Sequence, residues 1–281
     1  MTIIEAIILG IVQGLTEFIP ISSTAHLTIF GKLFGLINPN NPEQWTAFIA
    51  VVQLGTLAAV LVYFRKDIFE IVKSFFSENI GSKRKNLKAQ STTAKLGWFI
   101  IAGSLPIATL GLILKKIIEG NLTKDITVIA ISLISLAIVL AIAERIAHFT
   151  KEIKDISLWD AILVGLAQCL ALIPGSSRSG TTITAGLFLG MKRETAARFS
   201  FLLSIPAIFA SGLYEFYKSL DYITAAELFN IIIATFVSGI SGYIAIAFLI
   251  NFLRKNSTFL FIYYRIGLGI LLLVLVNYFG F

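Results

Sequence analysis

The sequence predicts an all-α polytopic membrane protein with six full transmembrane helices and two re-entrant helical hairpins arranged as an inverted-topology repeat. Three observations carry this. The 281 residues are 57% hydrophobic and 14% charged, where an average soluble protein carries about 25% charged residues. Six apolar runs are long enough, at about 20 residues each, to cross a bilayer. Two further apolar stretches, Met1–Leu36 and Trp159–Gly190, are broken by glycine, proline and hydroxyl residues in a way that fits two short helices better than one span.

Met1–Leu36 is interrupted at Gly10, Gly14, Pro20, Ser22, Ser23, Thr24, His26, Gly31 and Gly35. Two short helices turning near Pro20–Ser23 fit this better than one span. Irregular backbone at membrane depth is tolerated only where protein buries it or water lines it, which makes the stretch a candidate re-entrant hairpin. It has no basic n-region and no small-residue cleavage site, so it reads as part of the fold and not as a removable signal. The loop Asn38–Pro42 leads to the first span, Thr46–Phe64. Residues 65–95 read as a solvated cytoplasmic loop with an amphipathic interfacial part at Asp67–Phe76. The remaining spans are Leu96–Leu114, with Gly103, Pro106 and Gly111 suggesting close packing or a kink, then Ile126–Glu144, Phe199–Tyr217, Asn230–Leu253 and Thr258–Tyr278.

Trp159–Gly190 echoes the first stretch. Gly165-Leu-Ala-Gln168 matches Gly10-Ile-Val-Gln13, and Ile173-Pro-Gly-Ser-Ser177 matches Ile19-Pro-Ile-Ser-Ser23, with one residue deleted between the two matches. The chain thus reads as one integral membrane domain, 1–281, with internal repeats at about 1–146 and 157–281. Basic residues test the topology. With 65–95 inside, Arg65, Lys66, Lys73, Lys83, Arg84, Lys85, Lys88, Lys95, Arg145, Lys151, Lys154, Lys192, Arg193, Arg198, Arg254 and Lys255 are cytoplasmic, and the outer loops hold Lys115, Lys116, Lys124 and Lys218. The first hairpin then enters from outside and the second from inside, bringing two broken helices together near the midplane. The net charge of +7 is accounted for by these loops, so it signals topology and not a nucleic-acid partner. Cys169 is the single cysteine, which excludes an intramolecular disulfide and a cysteine-rich metal site.

The chemistry sits in the two hairpins. Arg178 lies among Gly175, Ser176, Ser177, Ser179, Gly180, Thr181 and Thr182, a combination of forked donors and hydroxyls that suits a phosphate group. The glycines would let backbone N–H groups approach an anion, and a helix starting near Ser179 would point its positive end at it. The first hairpin supplies Gln13 and Glu17 on one helix face, then Ser22, Ser23, Thr24 and His26. An ionisable residue at that depth is a functional candidate by default. Glu17 has three roles open to it: divalent-cation ligand, general base, or orienter of His26. A hydroxyl nucleophile needs a neighbouring base, so Ser23 with His26 is a candidate pair, with water as the alternative nucleophile. Gln53, Gln168, Ser200, Ser204 and Arg265 read as helix–helix hydrogen-bonding groups, Gln53 being an outside candidate for the site. His148 sits at a span end and reads as interfacial.

These two runs resemble the signature of the bacterial undecaprenyl-diphosphatase family, the bacitracin-resistance type of membrane phosphatase. The first motif, (Glu/Gln)-x-x-x-Glu, is present as Gln13-Gly-Leu-Thr-Glu17 followed by Ser22-Ser-Thr-Ala-His26, and the second as Pro174-Gly-Ser-Ser-Arg-Ser-Gly-Thr-Thr182. The resemblance extends over nearly the whole chain, including Gln53-Leu-Gly55 and Ala197–Pro206. It implies hydrolysis of undecaprenyl diphosphate to undecaprenyl phosphate and inorganic phosphate at the outer, periplasmic face of the bacterial cytoplasmic (inner) membrane. That activity recycles the lipid carrier for peptidoglycan synthesis and confers bacitracin resistance. The resemblance also implies a divalent cation, Mg2+ or Ca2+, catalytic roles for Glu17, Ser23, His26 and Arg178, and substrate contacts from Gln13, Ser22, Thr24, Gly175, Ser176, Ser177, Ser179 and Thr182. Gln13 in place of a glutamate removes one metal-ligating carboxylate. The partners are the lipid and the bilayer, and a homodimer is an option the sequence does not decide. A rival class is a polyprenyl-phosphate flippase or transporter, because inverted repeats with broken helices are a transporter architecture; it gives His26 no evident task. The other large membrane phosphatase superfamily needs a histidine downstream of the arginine, and His26 and His148 both precede Arg178.

Overall fold

Short polar side chains set where the helices begin. Thr2 and Glu5 form a capping box at the start of α1 (Ile3–Phe18), and Ser157 with Asp160 does the same for α8 (Leu158–Gln168). Ser22 caps α2 (Ser23–Leu33) and Ser177 caps α9 (Arg178–Phe188) through their hydroxyls. The computed structural model describes residues 1–80, 84–220 and 224–279; Lys83, assigned to the inside from loop charge, lies outside them. The other helices are α3 (Pro42–Tyr63), α4 (Arg65–Asn79), α5 (Thr92–Ile113), α6 (Lys115–Glu119), α7 (Ile126–Ile146), α10 (Arg193–Ser219), α11 (Ala225–Lys255) and α12 (Phe259–Phe279).

The protein is an all-α polytopic membrane protein. Among the described residues, α3, α5, α7, α10, α11 and α12 are long and apolar enough to cross a membrane, at the six places the apolar runs predict. Large apolar side chains such as Leu112, Phe236 and Ile4 are more than two-thirds exposed, as lipid-facing surfaces are and water-facing ones are not. The described residues of this segment, 65–80 and 84–95, are more ordered than the solvated loop expected from their charge. Fifteen of them form α4, because Ile71 is buried and Phe75 packs on Gly97 and Trp98 of α5. Phe69, Val72 and Phe76 stay exposed along α4, which is the amphipathic face expected at Asp67–Phe76. Pro106 and Pro206 lie inside α5 and α10 without ending them.

Small residues let the short helices press against the long ones. A Cβ at Gly10 would lie 2.5 Å from the Ala234 carbonyl oxygen, and one at Gly14 would strike Ser241 and Gly242, so α1 rides on α11 backbone to backbone. On the other side Gly165 of α8 meets Gly103 of α5 in the same way. Ser241 Oγ donates to Gly10 O and Ser238 Oγ to Val52 O, joining α11 to α1 and α3. At one end of the bundle the buried Glu144 of α7 accepts from Arg193 Nε at 2.7 Å and from Thr258 Oγ1 at 2.9 Å, tying the starts of α10 and α12 to the end of α7. This pairing extends α10 back to Arg193, beyond the expected start at Phe199.

The two hairpins share one backbone plan at a constant offset of 155 residues. α1 starts at Ile3 and α8 at Leu158, α2 runs Ser23–Leu33 and α9 Arg178–Phe188. Left-handed residues recur at Ser22 and Ser177 and at Gly35 and Gly190. The closing bonds Leu36 N to Gly31 O and Met191 N to Gly186 O follow the same offset. The deletion expected from matching the two Ile-Pro-x-Ser-Ser runs is absent: Ser22 corresponds to Ser177 and Ser23 to Arg178.

The glycine contacts generate a test. Gly10→Val and Gly165→Val should each destabilise the protein by about 1–3 kcal/mol or more through overpacking, read as a lower melting temperature in detergent. Gly267→Ala, whose Cβ would meet nothing within 4 Å, should leave it nearly unchanged.

Candidate active site

Each hairpin turns through a strained serine. Pro20 carries no backbone donor, α1 stops at Phe18, and Ser22 takes φ 76° and ψ 98° before its hydroxyl accepts from Ala25 N. In the second hairpin Pro174 and Gly175 (φ 85°) precede Ser177 at φ 65°, whose hydroxyl accepts from Gly180 N. A non-glycine residue in this region costs on the order of 1–3 kcal/mol and is held only where surroundings over-determine it. The result at each turn is a helix whose first residue, Ser23 or Arg178, is presented toward Glu17.

Glu17 joins them. Its Oε1 pairs with Arg178 Nη2 at 2.5 Å, and its Oε2 accepts from Ser23 Oγ at 2.6 Å and from Gln13 Nε2 at 2.8 Å. The Glu17 side chain is 3% exposed and that of Arg178 15%, so the pair is shielded yet reachable from the arginine side. Ser179 Oγ adds a second strut, donating to Ile19 O at 3.3 Å.

His26 and Ser23 do not form the pair considered from sequence. Ser23 donates to Glu17 instead. The histidine spans two other partners, Nδ1 to Ser22 O at 2.7 Å and Nε2 to Tyr264 OH at 2.6 Å, with its ring stacked on that of Tyr264. A carbonyl only accepts, so Nδ1 carries the proton, and in the neutral imidazole Nε2 accepts from the tyrosine. Glu17 is therefore the base within reach of the serine hydroxyl, and His26 braces the strained Ser22 carbonyl.

The remaining predicted residues divide. Ser177 and Ser179 face each other at 3.2 Å between their hydroxyls beside Arg178. Ser176 is fully buried with its Oγ unpartnered in the protein. Thr24 lies in the first turn of α2, half-buried. Thr182 turns away: its hydroxyl bonds Ser200 Oγ of α10 at 2.6 Å and Arg178 O at 2.8 Å, so it ties α9 to α10. The glycines serve packing. A Cβ at Gly175 would strike the Ile129 carbonyl of α7, and one at Gly180 the guanidinium of Arg265. Gln53 shows no hydrogen bond to either hairpin among the described residues. Ser200 does join two helices, as expected, and Ser204 bonds within its own helix. Sequence reading missed Tyr264, which no motif marks among the aromatics of its span, and placed Arg265 among helix ties.

Among the described residues, no three His, Cys, Asp or Glu side chains gather to hold a metal. The donor set here is one carboxylate, Glu17, and the Gln13 Oε1 atom, which is buried and unpartnered in the protein. That set suits a Mg2+-like ion only in the manner of phosphate enzymes, where one or two protein oxygens share the ion with substrate phosphates.

The Glu17–Arg178 pair carries its own stability test. Breaking one side of a shielded pair costs about 3–5 kcal/mol, and replacing both sides costs much less. Glu17→Gln and Arg178→Gln should each lower the melting temperature more than the double variant does. Additive losses would mean that the pair does not join the hairpins.

Comparison with known proteins agrees with this reading. The family model described as "Bacitracin resistance protein BacA" matches residues 6–271. The undecaprenyl-diphosphatase of Syntrophobacter fumaroxidans is 56% identical over 276 residues, covering 98% of each chain. Those of Chloroherpeton thalassium and Chlorobium phaeobacteroides are 52% and 50% identical over 98% or more of each chain. With the match running through both hairpins and all six long helices, this chain belongs to the BacA family of bacitracin resistance proteins.

Proposed function

We propose that this protein hydrolyses undecaprenyl diphosphate to undecaprenyl phosphate and inorganic phosphate at the outer face of the cytoplasmic membrane, recycling the lipid carrier for wall synthesis and lowering sensitivity to bacitracin. The observation that carries the reading is the Ser23–Glu17–Arg178 array. A hydroxyl lies 2.6 Å from a carboxylate that a guanidinium also holds, which is the geometry of a nucleophile, its base and an anion binder. The relatives named undecaprenyl-diphosphatase supply the substrate.

In this mechanism Ser23 Oγ attacks the terminal phosphorus and its proton passes to Glu17. The bond from that phosphorus to the bridging oxygen breaks, and undecaprenyl phosphate leaves. Water then attacks the phosphoserine, restoring Ser23 and releasing phosphate. Arg178 uses only Nη2 on Glu17, leaving its other donors for phosphate oxygens, and phosphoryl transfer needs mainly such positioning and charge stabilisation. His26 acts as a positioning residue through Ser22. Glu17 and Gln13 Oε1 would hold a divalent cation beside the diphosphate, where it would neutralise phosphate charge.

The hairpin lengths support re-entrance. At about 1.5 Å per residue, the 16 residues of α1 and 11 each of α2, α8 and α9 fall short of a hydrocarbon core of about 30 Å. The 155-residue correspondence between them supports an inverted repeat, with the Arg193–Glu144 end cytoplasmic by loop charge. It also favours a second reading, lipid transport, because that architecture moves substrates across membranes.

Phosphate release from undecaprenyl diphosphate by the purified protein separates these readings. Wild type should turn over, while Glu17→Ala, Ser23→Ala and Arg178→Ala, with folding intact, should each lose about a hundredfold or more. Substantial turnover by Ser23→Ala would make water the nucleophile. A folded wild type that releases no phosphate would give the site to lipid transport, assayed as flipping in liposomes.

A further inference from the structure

We propose that Arg265 is a second anion-binding cation of this site, and that its charge is what suits the site to a diphosphate over a single phosphate. The substrate class rests on the diphosphatase reading; the anion requirement rests on Arg265 itself. Arg265 sits in the second turn of α12 with 0% of its surface exposed. Its Nη2 donates to Ser176 O at 2.9 Å, while Nε and Nη1 have no partner in the protein. No carboxylate pairs with it among the described residues. A guanidinium is charged at any ordinary pH, and an unpaired charge at such depth is strongly unfavourable.

Its position sharpens the point. The guanidinium lies against the turn that presents Arg178: a Cβ on Gly180 would fall 2.7 Å from Nη1. Gly180 is in the first turn of α9, whose N-terminus carries about half a positive charge. Arg265 thus lies beside the α9 N-terminus that carries Arg178, while Glu17, held by Arg178, is the one carboxylate paired there among the described residues. The added cation favours the larger negative charge of a diphosphate over a single phosphate, which carries only about −1.5 to −2 near neutral pH. Tyr264, the preceding residue, reaches His26 of the first hairpin, so one turn of α12 serves both halves of the site.

The test separates charge from tethering. Arg265→Gln keeps a polar, hydrogen-bonding side chain and loses the charge; Arg265→Lys keeps the charge. Inorganic pyrophosphate and orthophosphate are titrated by calorimetry into the purified protein in detergent. Wild type should prefer pyrophosphate, Arg265→Lys should retain most of that preference, and Arg265→Gln should lose about tenfold or more in pyrophosphate affinity with little change for orthophosphate. Gly180→Ala, which pushes the guanidinium away, should weaken pyrophosphate binding in the same direction, and it decides the matter if Arg265→Gln does not fold. Pyrophosphate affinity unchanged in either variant, or no preference in wild type, would reduce Arg265 to a helix tie. Wild type that binds pyrophosphate through Arg265 yet releases no phosphate from the lipid would overturn the diphosphatase reading and leave this inference standing.

Discussion

The contact on which the rest of this structure depends is the ion pair between Glu17 and Arg178. Neither group is tolerable alone at that depth, since a lone charge in a low-dielectric interior costs several kcal/mol. Each is carried by a pair of short helices. Their mutual need brings two turns, remote in sequence, to one point. The pair also leaves work undone: Glu17 holds the Ser23 hydroxyl on its other oxygen, and Arg178 keeps free donors.

Around that pair the protein uses the same backbone twice and different chemistry in each copy. The offset of 155 residues aligns Gly10 with Gly165, Gln13 with Gln168, and the strained serines Ser22 and Ser177. It also sets Glu17 against Leu172, Ser23 against Arg178, and His26 against Thr181. Base and hydroxyl thus sit in one copy and the guanidinium in the other, so the array forms only when the hairpins meet. The glycines of α1 and α8 seat the two hairpins closely on α11 and α5, because a helix that must approach another backbone closely has no room for a side chain.

Much of the fold was legible in the sequence because the bilayer imposes a simple rule of length and polarity. The six spans and the two broken stretches follow from apolar run length, and helix-breaking residues locate both turns to within a few positions. The polar segment 65–95 was legible only in part, since charge density marked it as solvated while the burial of Ile71 and the packing of Phe75 on α5 made much of it a helix. The register of the two hairpins was misread by one residue. Repeated Ile-Pro-x-Ser-Ser letters match best where they look alike, whereas the backbone matches where φ turns positive.

The sequence by itself determined that this is a six-span membrane protein with two motif-bearing hairpins, and it named Glu17, Ser23, His26 and Arg178 as the residues with chemistry to offer. Charges and hydroxyls in an apolar run are conspicuous because they are expensive there. Only the tertiary structure decided who partners whom. It gave Ser23 to Glu17 and not to His26, turned Thr182 outward to Ser200, and assigned Gly175 and Gly180 to packing. It also drew Tyr264 and Arg265 from α12 into contact with residues of both turns. Those choices depend on side-chain directions across helices distant in sequence, where hydrogen bonds of less than 3 Å are won or lost by packing that no local pattern records.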